Sequence, residues 1–223
     1  MKFQICLFLS LFLTSLISSQ ERIHIDEKGD TISQISFQEK WRNKDLGLSR
    51  WDSIGKDKKR YTILKKDLYQ AGFIDYNVIK TEINNITPIK ITDSSTIIIE
   101  YYYKDDLCSS TSDNKWTKKE IDYRKIFLDP MRNNLTKDNI VFICLFENGI
   151  NLKNSPNKKD EYFFLDKNNF IKESVFRSRT LCGSHAAIKP NGQILVRNGE
   201  YRVDYFAQHL KPKNWSLFFD NKN

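Results

Sequence analysis

No phosphate-cradling or hydrolase signature stands in the 223 residues: G-x-x-x-x-G-K, G-x-G-x-x-G, G-x-S-x-G and H-E-x-x-H are all absent. The common nucleotide-binding and hydrolase routes therefore lose their usual support. A dense basic block is missing as well. Lysine and arginine outnumber acidic residues 36 to 28, giving a formal charge of +8, but the two signs are interleaved. The densest basic patch is Lys58-Lys59-Arg60, with Asp57 before it. A nucleic-acid partner needs a basic stripe on a recognisable module, so none is expected. Cysteine is scarce, at four in the whole chain. That excludes a disulfide scaffold and leaves the fold to a hydrophobic core. The longest apolar run, Phe3 to Ile17, is too short for a comfortable membrane span.

That run has secretory-signal length instead. Lys2 precedes it and Ser18-Ser19-Gln20 follow as a small, polar exit, so residues 1–20 are expected to be a cleaved signal peptide. The mature chain is then secreted or periplasmic, with no stable membrane span and a charge of +7 once Lys2 is gone. It keeps Cys108, Cys144 and Cys182. In an oxidising compartment three thiols allow one intramolecular bridge and leave one over.

The stretch Thr96 to Cys108, T-I-I-I-E-Y-Y-Y-K-D-D-L-C, organises the rest. Its β-branched and aromatic run reads as a buried central strand. Asp105, Asp106 and the Ser/Thr residues after Cys108 make a polar turn. A helix is expected over Asn114 to Leu128, with Pro130 just past its end, and a second buried strand over Ile140 to Phe146. Tyr162 to Leu165 reads as a short strand, and His185 to Val196 as a hairpin turning at Lys189-Pro190-Asn191-Gly192. Val203, Phe206, Ala207 and Leu210 then fall at helical spacing, with Pro212 as the stop. Ahead of all this, Glu21 to Asp30 reads as an edge hairpin, and Ser36-Phe37-Gln38-Glu39 as a capping box opening a short helix. Arg42 to Ile79 gives no clean assignment, and Asn84 to Asp93 reads as a loop.

Cys108, in a turn ahead of a helix, is placed where a helix N-terminus favours the thiolate, while Asp105 and Asp106 oppose it. A reactive thiol and a structural thiol both fit. Cys144, inside an apolar run, reads as core. His185 lies three residues after Cys182; as part of a Cys/His cluster it could hold copper, and as a strand histidine it would make an ordinary hydrogen bond. Arg177 and Arg179 flank the same loop, either as solvated side chains or as ligands for an acidic group or thiolate.

The order strand, helix, strand, loop, hairpin, helix resembles the thioredoxin-like superfamily, and Ile188-Lys189-Pro190-Asn191-Gly192-Gln193-Ile194 is similar to the I-D-P-x-G-x-I hairpin of its extracytoplasmic thiol-disulfide members. The resemblance covers about residues 94–211. It implies an α/β fold with a central sheet flanked by helices, an α+β extension over residues 21–93, and a tail over 212–223. The chain departs from the family at the active turn: Asp105-Asp106-Leu107-Cys108 stands in place of C-x-x-C, or, with a longer turn, Cys108 takes the nucleophile's place. Cys182-Gly183-Ser184-His185 stands where the family carries a cis-proline. What the resemblance implies is a Cys108–Cys182 bridge, structural or redox-active, with Asp105, Asp106, Arg179 and His185 around it. The activity it implies is thiol-disulfide exchange with a protein or thiol substrate, without cofactor or bound metal. The competing reading is a binding or scaffold module that kept the fold without the dithiol.

Overall fold

The computed structural model describes residues 21–108 and 113–219. The expected signal peptide therefore lies outside the described residues. None of the described helices is long and apolar enough to cross a membrane.

Two large sheets, accompanied by one two-stranded pairing, carry the described residues. The smaller has strand order β2-β1-β4-β3, built from β1 (Arg22–Ile25), β2 (Thr31–Ile32), β3 (Ser49–Ile54) and β4 (Arg60–Lys65). Helix α1 (Gln34–Arg42) covers it through Phe37, which packs with Leu48 and Leu64 in a small core. The N-cap of α1 is Ser33, whose side chain accepts from the Ser36 amide at 3.1 Å, so the helix begins a turn earlier than the Ser36 capping box suggested. Strand β3 shows no clean alternation because Asp52, fully buried, is held by Arg50 at 2.6 Å and Arg60 at 2.5 Å. A charged residue on a core-facing position hides a strand from periodicity.

The larger sheet has six strands in the order β10-β8-β6-β11-β12-β5. Strand β6 (Thr96–Tyr102) lies at its centre and pairs in parallel with β8 (Ile140–Glu147), which pairs in parallel with β10 (Phe163–Asp166). On the other side of β6, β11 (Ser184–Ile188) and β12 (Gln193–Asn198) form the antiparallel hairpin. Ile97, Ile98 and Ile99 are fully buried, as a sheet covered on both faces requires. The crossover from β6 to β8 runs through β7 (Lys115–Trp116), which pairs with β9 (Asn151–Leu152), and α3 (Lys118–Lys137). Strand order and directions make a mixed α/β sheet with helices on its faces, the fold class the sequence predicts.

Several boundaries differ from the sequence reading. Helix α3 starts at Lys118 behind a Thr117–Glu120 capping box and continues through Pro130 to Lys137. The lost hydrogen bond at Pro130 is outweighed because Leu128 and Leu135 are buried against the sheet. Helix α2 (Tyr76–Ile86) extends into the segment read as a loop, and β5 (Tyr69–Phe73), also from residues 21–93, is the edge strand of the larger sheet. Beyond the short α4 (Phe170–Ser174), α5 (Val203–Ala207) runs on as a 3-10 turn over Gln208–Leu210 and ends before Pro212, as expected; Pro212 also opens a further helix, α6 (Pro212–Phe219), which buries Trp215, whose indole donates to Gln193 at 2.8 Å.

Candidate functional site

The site lies at the carboxyl end of β6, where an open sheet leaves its loops free to carry chemistry. Tyr101 and Tyr103 turn into one face of the sheet and Tyr102 into the other, and the chain then enters the turn that holds Asp105, Asp106 and Cys108. Facing it is the segment before β11. Cys108 and Cys182 are joined there in a disulfide, with Cα atoms 5.0 Å apart across a sequence separation of 74. The two loops that the resemblance paired are covalently linked.

Asp106 anchors that linkage. One carboxylate oxygen accepts from the Cys108 amide at 2.9 Å and the other from the Cys182 amide at 2.9 Å. Burial pushes its pKa up to about 6; the amides of Cys108, Cys182 and Gly183 pull the other way, and the charge of Asp52 adds to the rise. A carboxyl that can hold or release a proton near neutral pH therefore sits between the two cysteines.

The backbone at Cys182 is left-handed, with φ of 65°, and Gly183 follows at 78°. A Cβ on Gly183 would stand 2.6 Å from the Tyr101 carbonyl oxygen. The loop thus approaches β6 closely through a missing side chain, with no cis peptide among the described residues. Thr180 closes the turn, donating to the Gly183 carbonyl at 2.9 Å, and Tyr103 donates to the Ser178 carbonyl at 3.0 Å.

The disulfide opens onto a cavity of about 590 Å³. Much of its lining is aromatic: Tyr102, Tyr103, Trp116, Phe127, Tyr201 and Tyr205. Arg124 and Glu100 form part of the lining as a salt bridge at 2.5 Å, with the Tyr102 hydroxyl bonded to Glu100 at 2.8 Å. Phe127 continues outward into an apolar stripe on α3, where Tyr123 and Ile126 are 78% and 74% exposed. Cys108 is exposed and Cys182 half-buried.

The other expected residues are dispersed. Asp105 turns away to pair with Asn114, whose amide reaches it at 2.8 Å. Arg179 binds Glu147 at 2.5 Å and lies over the Trp51 ring, outside the cavity lining. Among the described residues the helix that follows Cys108, α3, starts only at Lys118, so no described helix N-terminus stands beside the Cys108 thiol. The short stretch 109–112, with its serines and threonine, lies outside the described residues.

His185 is on β11, away from both bridged cysteines in a second, buried group. It lies opposite Glu100 in the sheet register, and Glu100 lies opposite Cys144. The Cys144 thiol donates to Glu100 at 3.7 Å, and burial raises its pKa well above the ordinary value. Cys144 is core, as its apolar surroundings implied. His185 Nε2 is 3.9 Å from Glu100, too long for a hydrogen bond, and neither ring nitrogen has a partner. Among the described residues no group of three His, Cys, Asp or Glu side chains could hold a metal ion.

Burial lowers the His185 pKa to about 4, with Arg197 and Arg124 adding to the fall and Glu100 opposing it. The native state therefore prefers the neutral ring. Its contribution to stability is intact above the ordinary value of 6.5 and lost as pH falls towards about 4. Asp106, with a raised folded pKa, works in the opposite sense as pH rises through about 6. His185→Leu removes the first dependence and keeps the second. Urea unfolding at pH 7 and pH 4 should show the wild type losing more stability than the variant, by on the order of 3 kcal/mol. Equal losses would place the titration elsewhere.

Sequence reasoning passed over Glu100, Arg124 and the aromatic walls. The one signal available was Glu100 itself, a charge in the middle of T-I-I-I-E-Y-Y-Y. A charge inside a buried strand demands a partner, here Arg124.

No protein-family model matches the chain, and no curated protein matches it. Among solved structures, the exposed lipoprotein thioredoxin Etrx1 of Streptococcus pneumoniae strain TIGR4 is 12% identical with a TM-score of 0.36, covering 73% of this chain and 98% of that one. The N-terminal domain of PilB from Neisseria gonorrhoeae is 11% identical, TM-score 0.36, over 63% and 98%. A putative thioredoxin from Neisseria meningitidis is 10% identical, TM-score 0.33, over 79% and 94%. Likeness at this level bears on neither chemistry nor partner.

Proposed function

We propose that this is an exported thiol-disulfide exchange protein acting through Cys108 and Cys182 on a thiol-bearing protein whose apolar side chains enter the aromatic cavity. The observation that carries the reading is the disulfide on the cavity wall with its Cys108 end exposed. A substrate thiolate attacks the Cys108 sulfur, forming a mixed disulfide and releasing Cys182 as thiolate. Asp106, between the two cysteine amides, is the group that supplies a proton to it. A second substrate thiol then displaces Cys108, so the substrate loses two electrons and two protons and the protein gains them as two thiols. A further disulfide compound resets the bridge.

The exposed stripe of Tyr123 and Ile126 supports a protein partner over a small thiol, which would leave that stripe uncovered. The same stripe would serve a binding module with a static bridge, and one experiment separates the two. The Cys182→Ser protein, with Cys108 free, is mixed with a model peptide disulfide carrying phenylalanine beside its cysteine, and with a second carrying aspartate there. Non-reducing mass spectrometry should show a mixed disulfide at Cys108, formed faster with the phenylalanine peptide. If neither peptide couples while the wild-type bridge also resists dithiol peptides, the exchange reading is wrong and the binding module stands.

A further inference from the structure

The exchange reading leaves the small N-terminal sheet without a task, although it touches the cysteine loop directly. The edge strand β3 lends its Arg50 carbonyl to the Leu181 amide at 2.7 Å, one residue before Cys182. From the end of β4, the half-buried Lys65 ammonium donates to the Ser178 hydroxyl at 2.8 Å and to the Arg179 carbonyl. Trp51 of β3 lies under the Arg179 guanidinium at 6.0 Å and edge-on to Tyr103 at 6.3 Å. A lysine without a bonded carboxylate, spent on a neutral hydroxyl and a carbonyl, is an unusual use of a half-buried charge. The segment it holds ends in a cysteine with left-handed backbone, a conformation that disfavours a non-glycine residue and persists where the surroundings over-determine it.

We propose that the N-terminal sheet is a brace for the redox loop, with Lys65 as the positioning residue that keeps Cys182 opposite Cys108. In the dithiol form the brace maintains a high effective concentration of one thiol at the other, which favours the closed disulfide. Loosening the loop lowers that concentration and makes the bond easier to reduce. The proposal rests on the exchange reading for its purpose, but its measurement does not, because glutathione alone reports the equilibrium.

Full-length mature protein is equilibrated in glutathione redox buffers and the Cys108–Cys182 state is read by alkylation and mass spectrometry. Lys65→Met should raise the equilibrium constant for reduction about tenfold, equivalent to about 30 mV for two electrons. Lys65→Gln, which keeps a donor and is the gentler change should the first variant fold badly, should move it in the same direction by less. Phe37→Leu weakens the core of the same sheet without touching the loop and should leave the constant within twofold of wild type. An unchanged constant in folded Lys65 variants overturns the brace, as does an equal shift in Phe37→Leu, which would make the effect one of general destabilisation. Absence of peptide exchange together with a Lys65 shift would instead overturn the exchange reading alone.

Discussion

Replacing Cys108 and Cys182 together by serine lowers the unfolding free energy by about 4 kcal/mol. The bridge spans a sequence separation of 74, and closing a loop of that length removes this much chain entropy from the unfolded state. The effect should appear as a fall in the urea midpoint with the wild type kept oxidised. Reduced wild type should behave like the double variant. A bridge that contributed nothing would leave the midpoints together, and the pairing of these loops in solution would have to be abandoned. The sign matters for function too. Stabilisation of this size makes an idle disulfide hard to open, so an exchange protein must draw on local features that favour opening: the exposed Cys108, the left-handed Cys182 backbone, and the raised pKa of Asp106.

Glu100→Ala carries the second large effect, a loss of about 3 kcal/mol. Glu100 is 3% exposed and is the common acceptor for Arg124, Tyr102 and Cys144. Removing it strands the Arg124 guanidinium beside the aromatic wall with no counter-charge, and losing one member of a buried pair costs more than losing both. Arg124 keeps about a third of its side chain in water, which holds the loss to the lower end of the usual range. Urea unfolding of Glu100→Ala against the Glu100→Leu/Arg124→Leu pair checks this: the double variant should be the more stable of the two. The reverse order would mean that the carboxylate supports the sheet in some way other than by neutralising Arg124. The single variant should also reshape the cavity floor, so in the peptide assay it should couple the phenylalanine peptide more slowly.

The parts of this fold that could be read directly were those where one physical rule dominates. Ile97 to Ile99 and Ile140 to Phe146 are unbroken apolar runs, and only a strand covered on both faces tolerates them. Lys189 to Gly192 turns the hairpin because Gly192, at φ of 83°, can approach the Ile74 carbonyl where a Cβ would stand 2.6 Å away. Cys144 is core because it stands inside the second of these apolar runs and is fully buried. The elements that escaped are those where local signals compete with tertiary contacts. Strand β5, Y-Q-A-G-F, has no apolar period and exists through its backbone pairing with β12. Helix α3 outlasts Pro130 through packing at Leu128 and Leu135, and α6 forms around Trp215.

The same division runs through the site. Sequence alone determined that the chain would build a mixed α/β sheet with a cysteine at the carboxyl end of its central strand, because periodicity and turn chemistry act over a few residues. Which cysteine that one meets, that Asp106 lies between them while Asp105 and Arg179 turn away, that His185 belongs to the Glu100 group, and that residues 21–65 back the Cys182 loop were decided by the tertiary structure. Apart from Asp105, which turns to Asn114 9 positions on, those facts depend on pairings from 32 positions apart (Arg179 and Glu147) to more than 100 (114 for Lys65 and Arg179), set by strand order and by the burial of charges. Neither composition nor spacing encodes them locally.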